Sequence, residues 1–433
     1  MQSRMETILS AFRQQEDYME GRIQRGIQEH RMDYAYLRFV DKEGHPLPHV
    51  QVEVKQISHD FKFGANLFML GEYEDPHSNE AYQDAFCKLF NHATLPIYWK
   101  DLEPEPGKVR FSKNSPKVYR RPPLDLALEF CEQHQIIPKA HCLVYDTWMP
   151  DWVPREVPAI KRLYAKRMEE LASRYQHRIP DWEVINETLY VNGISPFYWE
   201  PDYLDWSFQE AARCFPHNHL LINDAHCNIW NVFNYSRSQY YMLIEGLLGR
   251  GVRIDGIGMQ FHMFYSRDEE AAATRLFYNP RHLYNVMDCY GQFHRPVQIS
   301  EVTIPAYSEE AGDEAVQAEI VRHLYRIWFS HSNTESIVWW NLADGSAYGA
   351  ENSYYGGLLR ADFTPKPAYE VLQHLIHGEW TSCATLDTGD MAEASFHGFF
   401  GRYSLTVTCR GKQFTENIHL QKKGPREFTI VCD

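Results

Sequence analysis

Between residues 61 and 377 the chain alternates, eight times over, a short apolar run with a longer stretch whose apolar residues recur at helical spacing. The runs fall at 61–68, 91–99, 138–146, 181–187, 219–225, 255–262, 296–302 and 336–342. The helical stretches lie near 78–90, 124–136, 157–177, 203–215, 236–250, 268–288, 311–331 and 366–377. Short apolar runs, each followed by a helix, predict parallel strands buried on both faces. Eight such units predict an α/β fold of the (β/α)8 TIM-barrel kind. A doubly wound open sheet would alternate in the same way, but the chain lacks a Gly-rich phosphate fingerprint.

A barrel builds its active site at the C-terminal ends of its strands, so the residues that close each run carry the functional information. The fourth run, Trp182-Glu-Val-Ile-Asn-Glu187, ends in a glutamate, and so does the seventh, Val297-Gln-Ile-Ser-Glu301. Two strand-end carboxyls that meet are suited to glycosidic-bond hydrolysis, where one protonates the leaving oxygen and the other attacks or activates water. The sixth run, Gly256-Ile-Gly-Met-Gln-Phe-His262, ends beside the seventh, which lets His262 reach Glu301.

Composition narrows the partners. A formal net charge of -15 without a clustered basic patch disfavours nucleic acid and anionic membranes. Aromatic residues make up 14% of the chain, with 11 Trp and 27 Tyr, enough to stack on sugar faces after most have packed the core. The histidines show no H-E-x-x-H spacing, the H-x-x-x-H pair His45 and His49 spans two prolines that bar a helix, and neither a metal nor a cofactor is expected. Met1-Gln-Ser-Arg-Met-Glu has no signal-peptide pattern, no apolar stretch reaches 18 residues, and the nine cysteines show no C-x-x-C. Reduced thiols in a cytoplasm are the expectation.

Outside the repeat, residues 1–33 carry Ile8, Phe12, Tyr18, Met19, Ile23 and Ile27 at helical spacing and predict one or two amphipathic helices. Tyr36-Leu-Arg-Phe-Val40, the turn Asp41-Lys-Glu-Gly44 and Val50-Gln-Val-Glu-Val54 alternate with period two and predict a β-hairpin. The period returns to two in Tyr403-Ser-Leu-Thr-Val407 and Phe428-Thr-Ile-Val431. Each terminal segment has an apolar face that it cannot bury alone, so 34–60 and 381–433 are expected to form one small β-sandwich beside the barrel at 61–380.

The closing motifs together resemble the family-10 glycoside hydrolases, the retaining endo-β-1,4-xylanases. Trp182–Glu187 is similar to the family's W-D-V-V-N-E, Gly256–His262 to G-I-G-x-Q-x-H, Ile299-Ser-Glu301 to I-T-E, and Leu221-Ile-Asn-Asp224 to L-Y-I-N-D. His141-Cys-Leu-Val, Pro150-Asp-Trp152, Val338-Trp-Trp340 with Asp344, and Pro365-Lys-Pro-Ala-Tyr369 follow in the same order. The resemblance implies Glu187 as acid/base and Glu301 as nucleophile, with Asn186 and His262 in support and carboxyls roughly 5 to 5.5 Å apart. It also implies substrate contacts from His141, Gln260 and Trp340, with Trp99, Trp148 and Tyr348 nearby. Departures bear on the substrate. The polar grip that the family places after strand two is replaced by Thr94-Leu-Pro-Ile-Tyr-Trp-Lys-Asp101, so Leu95, Pro96 and Tyr98 are expected to offer an apolar wall. Thr303 stands where the family has an acidic residue beside its histidine, and His262 should lean less towards imidazolium. The expectation is a retaining β-glycosidase of the xylanase type. An exo-acting or small-glycoside enzyme, and a non-catalytic carbohydrate-binding protein, stand as alternatives.

Overall fold

The computed structural model describes residues 3–190 and 193–432. Met1 and Gln2, on which the reading of the N-terminus partly rests, lie outside them, as does Asp433 at the end of the predicted sandwich segment.

Two strands, β1 (Met32–Val40) and β2 (Gln51–His59), precede the barrel. Eight parallel strands then close on themselves: β3 (Lys62–Asn66), β4 (His92–Pro96), β5 (Ile137–His141), β6 (Asp181–Asn186), β7 (His219–Asp224), β8 (Gly256–His262), β9 (Val297–Thr303) and β10 (Thr334–Trp339), with β10 pairing back to β3. Helices cover the outside, so β6, β8 and β9 are buried along their whole length. That double burial explains the apolar character of the runs. Charged residues inside the barrel strands pair from one strand to another. Lys62 Nζ lies 2.5 Å from Asp181, and Lys139 Nζ lies 3.4 Å from Glu183.

The terminal segments form two sheets that face each other. β1 lies between β12 (Glu393–Phe399) and β15 (Glu427–Val431), while β2 lies between β11 (Cys383–Asp387) and β13 (Gly401–Cys409), with β14 (Lys412–Leu420) at the edge. Alternate residues Leu37 and Phe39 of β1, Val52 and Val54 of β2, and Leu405 and Val407 of β13 meet in one apolar core. The sandwich drawn from both ends of the chain is therefore present, but the hairpin expected at 34–56 is not. The turn Asp41–Gly44 forms, and Pro46 bridges back to Val40. The segment containing Pro46 and Pro48 then carries the chain across to the opposite sheet, where β2 finds β11 and β13 instead of β1. Pairing with two neighbours and burying a face outweighs what an isolated hairpin could gain.

The N-terminal segment folds as three helices, Arg4–Ile8, Ser10–Gln14 and Glu16–Arg31, more than the one or two expected. Ile8, Phe12, Met19 and Ile23 join the barrel core. The third helix lies so close to the helix Ala311–Ser330 that a Cβ at Gly26 would sit 2.3 Å from the Ser330 carbonyl oxygen. Among the described residues no helix is long and apolar enough to cross a membrane.

Candidate active site

A cleft of about 280 Å³ opens at the C-terminal ends of the barrel strands, with Glu187 and Glu301 in its wall together with Asn186, Gln260, His262, His141, Trp148, Trp340 and Tyr348. Glu187 follows the last residue of β6 in a left-handed backbone conformation (φ 53°), a costly choice for a residue with a Cβ. Its backbone N–H donates to the Asn223 carbonyl at 3.1 Å, which ties the turn to β7.

One side chain links the two carboxyls. Gln260 Nε2 lies 3.0 Å from Glu187 Oε1 and 3.1 Å from Glu301 Oε1, so those two oxygens stand at most about 6 Å apart. This is within reach of the ~5 to 5.5 Å spacing suited to direct attack, and short of the ~6.5 to 9.5 Å that leaves room for an intervening water.

Glu301 is nearly enclosed. Besides Gln260, Asn223 Nδ2 donates to it at 2.8 Å and His262 Nε2 at 3.1 Å. Three N–H groups aimed at one carboxylate favour its ionised form, while burial, with Glu183 and Glu187 nearby, pushes the carboxyl upward, to about 8. Asn223 is fixed in turn by Ser300, whose hydroxyl donates to Oδ1 at 2.6 Å. The glycine of the G-I-G motif now has a reason, because a Cβ at Gly258 would sit 2.4 Å from that same Oδ1.

His262 Nδ1 lies 2.9 Å from the Thr303 hydroxyl. A hydroxyl can donate to Nδ1 where a carboxylate can only accept, so Thr303 permits the neutral tautomer with the proton on Nε2, which the ionised Glu301 requires. Burial pushes the imidazole down to about 4, in line with the expectation of a weaker lean towards imidazolium.

The other carboxyl has a different frame. Tyr145 donates its hydroxyl to Glu187 Oε2. Burial and the neighbouring Glu187 charge raise the Tyr145 phenol, which keeps it a donor.

His141 lines the cleft, but its ring nitrogens are both engaged, Nδ1 with Glu183 at 2.7 Å and Nε2 with the Tyr98 hydroxyl at 2.8 Å. Tyr98 and His141 therefore meet in the wall of the cleft. Burial lowers the His141 imidazole, but Glu183 more than offsets it and the pKa is raised. In its imidazolium form His141 donates to the Tyr98 oxygen, which leaves the Tyr98 proton free for a ligand in the cleft. The guanidinium of Arg121 lies 4.1 Å above the Tyr98 ring, bonds Asp101 at 2.8 Å, and reaches the Trp148 ring at 5.1 Å. Beside it, buried Arg120 binds Asn341 and the Ser346 carbonyl. Trp340 packs between His141 and His262 at 5.5 and 5.8 Å, and Trp148 meets Tyr348 at 5.9 Å across the cleft.

Two expectations are corrected by this geometry. Trp99 does not line the cleft. It starts the short helix Trp99–Leu102, bonds Glu103, and packs against Trp152 and Tyr164, because the chain turns at Tyr98 and sends the next side chain into the core. The wall after strand two is not simply apolar either. Leu95 is buried in the core, while Arg120 and Arg121, further along the same loop, bring two cations to the cleft. Tyr-Arg-Arg-Pro-Pro at 119–123 is the sign of this in the sequence, a charged pair followed by prolines in a loop after a strand.

His141, Cys142 and Glu183 offer donor atoms within 4.8 Å of one another. The histidine and glutamate atoms are already matched to each other, to Tyr98 and to Lys139, which accounts for the cluster without an ion.

Comparison with known proteins agrees with this geometry. The chain is 24% identical to the anti-sigma-I factor RsgI6 of Acetivibrio thermocellus over 399 residues, covering 91% of this chain and 47% of that protein. It is 24% identical to endo-1,4-beta-xylanase 3 of Arabidopsis thaliana over 393 residues, covering 88% of this chain and 46% of that protein. The chain thus spans about half the length of these curated relatives. Among solved structures, the fold matches xylanase 10B of Thermotoga petrophila, determined with xylobiose, at a TM-score of 0.58 and 20% identity over 74% of this chain and 95% of that one. The description Glycosyl hydrolase family 10 matches residues 60–375, which takes in the whole barrel and both strand-end glutamates, and the chain belongs to that family.

Proposed function

We propose that this chain hydrolyses oligosaccharides derived from β-1,4-xylan, or related β-glycosides, with retention of configuration. The carrying observation is the Gln260 amide shared by Glu187 and Glu301. Glu301 attacks the anomeric carbon and forms an ester to the sugar while the bond to the leaving oxygen breaks, and Glu187 gives that oxygen its proton. Glu187 then takes a proton from water, which displaces Glu301 and restores both groups. His262, Asn223 and Gln260 hold the Glu301 carboxylate, and Tyr145 orients Glu187. The xylobiose seen in the Thermotoga petrophila enzyme supports the substrate class. Proton NMR of the first-formed anomer from an aryl β-xyloside tests the stereochemistry, and an initial α-product would refute retention. A cytoplasmic site belongs to this reading, supported by the free thiols of Cys131, Cys142 and Cys289.

The bulky side chains in the cleft wall favour the exo-acting or small-glycoside form of the reading. Tyr98, Arg121, Trp148 and Tyr348 crowd the part of the cleft that follows strands two, three and eight. Extending the substrate on that side should therefore raise kcat/KM little. The measurement is kcat/KM from xylobiose to xylohexaose beside aryl β-xyloside and β-glucoside. A steep rise with length would identify an endo-xylanase with further subsites.

Two more results are expected. Glu301 must be ionised to attack, and its carboxyl is raised from the ordinary 4.5. Activity should therefore fall as pH drops through a value above 4.5, and an acidic limb of kcat/KM at or below that point would show that the three donors outweigh burial. Tyr98→Phe removes the hydroxyl that meets His141 in the cleft wall. Loss of a hydrogen bond to an uncharged sugar hydroxyl costs about 0.5 to 1.5 kcal/mol, so kcat/KM should fall roughly twofold to tenfold. An unchanged value would show that the sugar does not use Tyr98.

A further inference from the structure

A cation-lined surface lies at the other end of the barrel from the catalytic cleft. A cavity of about 500 Å³ opens there between the bottoms of β9 and β10, the end of the helix Glu16–Arg31, and the turn joining β14 to β15. Arg31, Lys422, Lys423 and Arg295 line it, with His30 and His59.

The acids in the same wall are turned to other work. Asp60 lies 2.6 Å from His419, and Glu335 accepts from Gln298 at 2.8 Å and sits 3.7 Å from Lys62. Arg31 is buried, and its guanidinium donates to the carbonyls of Phe329, His331 and Thr334, which hold it rigidly without neutralising it. Its plane rests 4.7 Å from the Phe61 ring and 5.2 Å from the Phe329 ring. Lys422 is anchored by one bond from Nζ to the Ser332 carbonyl at 3.2 Å. The cations act on one another: burial first, then Arg31 and Lys423, lower the Lys422 ammonium, and burial, Lys422 and Arg31 lower the His30 imidazole. Glu335 is the acid of this wall that acts on Arg31, and it is shared with Gln298 and Lys62, so cations crowded this way gain from an anion that enters among them.

We propose that this cavity between the barrel floor and the terminal sandwich binds a phosphate group, free or carried on a small molecule, with Arg31, Lys422 and Lys423 as its cationic wall. Guanidinium and ammonium groups together match a tetrahedral dianion. The volume exceeds what a bare phosphate fills and lies in the range of pockets for small organic ligands. The binder draws the helix end, the barrel and the β14–β15 turn together, so it should stabilise the fold.

The test is thermal unfolding of the full chain at low salt with inorganic phosphate, glucose 6-phosphate or glucose. We expect either phosphate at about 10 mM to raise the midpoint by roughly 2 °C or more, with affinity weakened roughly tenfold or more in the Lys422→Ser, Lys423→Ser double variant. The shift should persist in Glu301→Gln, which separates it from events in the catalytic cleft and from the fate of the proposed hydrolysis. A larger shift with glucose 6-phosphate identifies the esterified source, and an equal one the free anion. No shift with either phosphate, a shift equalled by glucose, or a shift untouched by the double lysine variant overturns the proposal.

Discussion

Glu301→Ala is expected to lose roughly 10^4-fold or more in kcat on every β-glycoside the native chain hydrolyses, because it removes the attacking atom itself. Glu187→Ala should behave differently according to the leaving group. A dinitrophenolate departs without a proton, so the first step survives on that substrate, while an alkyl or sugar alkoxide needs the proton and suffers the roughly 10^2- to 10^4-fold loss of general acid catalysis. Azide separates the roles further. In Glu187→Ala it enters the space of the missing carboxyl and displaces Glu301 from the sugar, giving a β-glycosyl azide. In Glu301→Ala it attacks the substrate directly and gives the α-azide. Full activity in either variant, or the same azide anomer from both, would remove the assignment. The geometry gives the prediction its edge. Tyr145 and Gln260 hold Glu187, whereas Glu301 has Asn223, Gln260 and His262, so neither carboxyl can readily replace the other.

Much of the barrel and its mouth is legible in the amino-acid sequence because barrel strands are buried on both faces. Eight apolar runs can be counted, and the residues that end them belong to one mouth; Glu187, Glu301 and His262 follow from position alone. What the pattern does not carry is pairing between distant segments. The alternation in Val50–Val54 is equally compatible with β1 or β13 as a partner, and only the second sheet of the sandwich decides. Loops are opaque for a similar reason. The backbone turn at Tyr98 exchanges an expected Trp99 contact for Tyr98, and Arg121 arrives from a later part of the same loop. Charged residues inside strands are a further sign. Lys139 and Glu183 each stand inside a strand buried on both faces, where charges need each other.

That buried pair leads to the largest expected effect on stability. Lys139 and Glu183 are each 1% exposed and 3.4 Å apart, and Glu183 also holds His141 at 2.7 Å and accepts from Asn223 at 3.1 Å. Glu183→Ala would strand an ammonium and an imidazolium in the barrel interior. Breaking a buried ion pair by removing one partner costs about 3 to 5 kcal/mol, a large part of a domain's net stability. The pH dependence has a definite sign. His141 and Lys139 lower the Glu183 carboxyl against the effect of burial, so its contribution is present above its ordinary 4.5 and is lost as pH falls through the lowered value. Glu183 raises His141, so the histidine's contribution is complete below its ordinary 6.5 and is lost as pH rises through the raised value. The gap between native and Glu183→Ala should therefore be widest between pH 4.5 and 6.5. Urea unfolding followed by tryptophan fluorescence measures it. Lys139→Met combined with Glu183→Leu removes both charges and should recover more than half of the loss, because well-packed apolar side chains replace buried pairs at little cost. A Glu183→Ala loss under about 1 kcal/mol, or a double variant no more stable than the single one, would mean that water reaches Lys139 and that the barrel interior is not a dry polar stack.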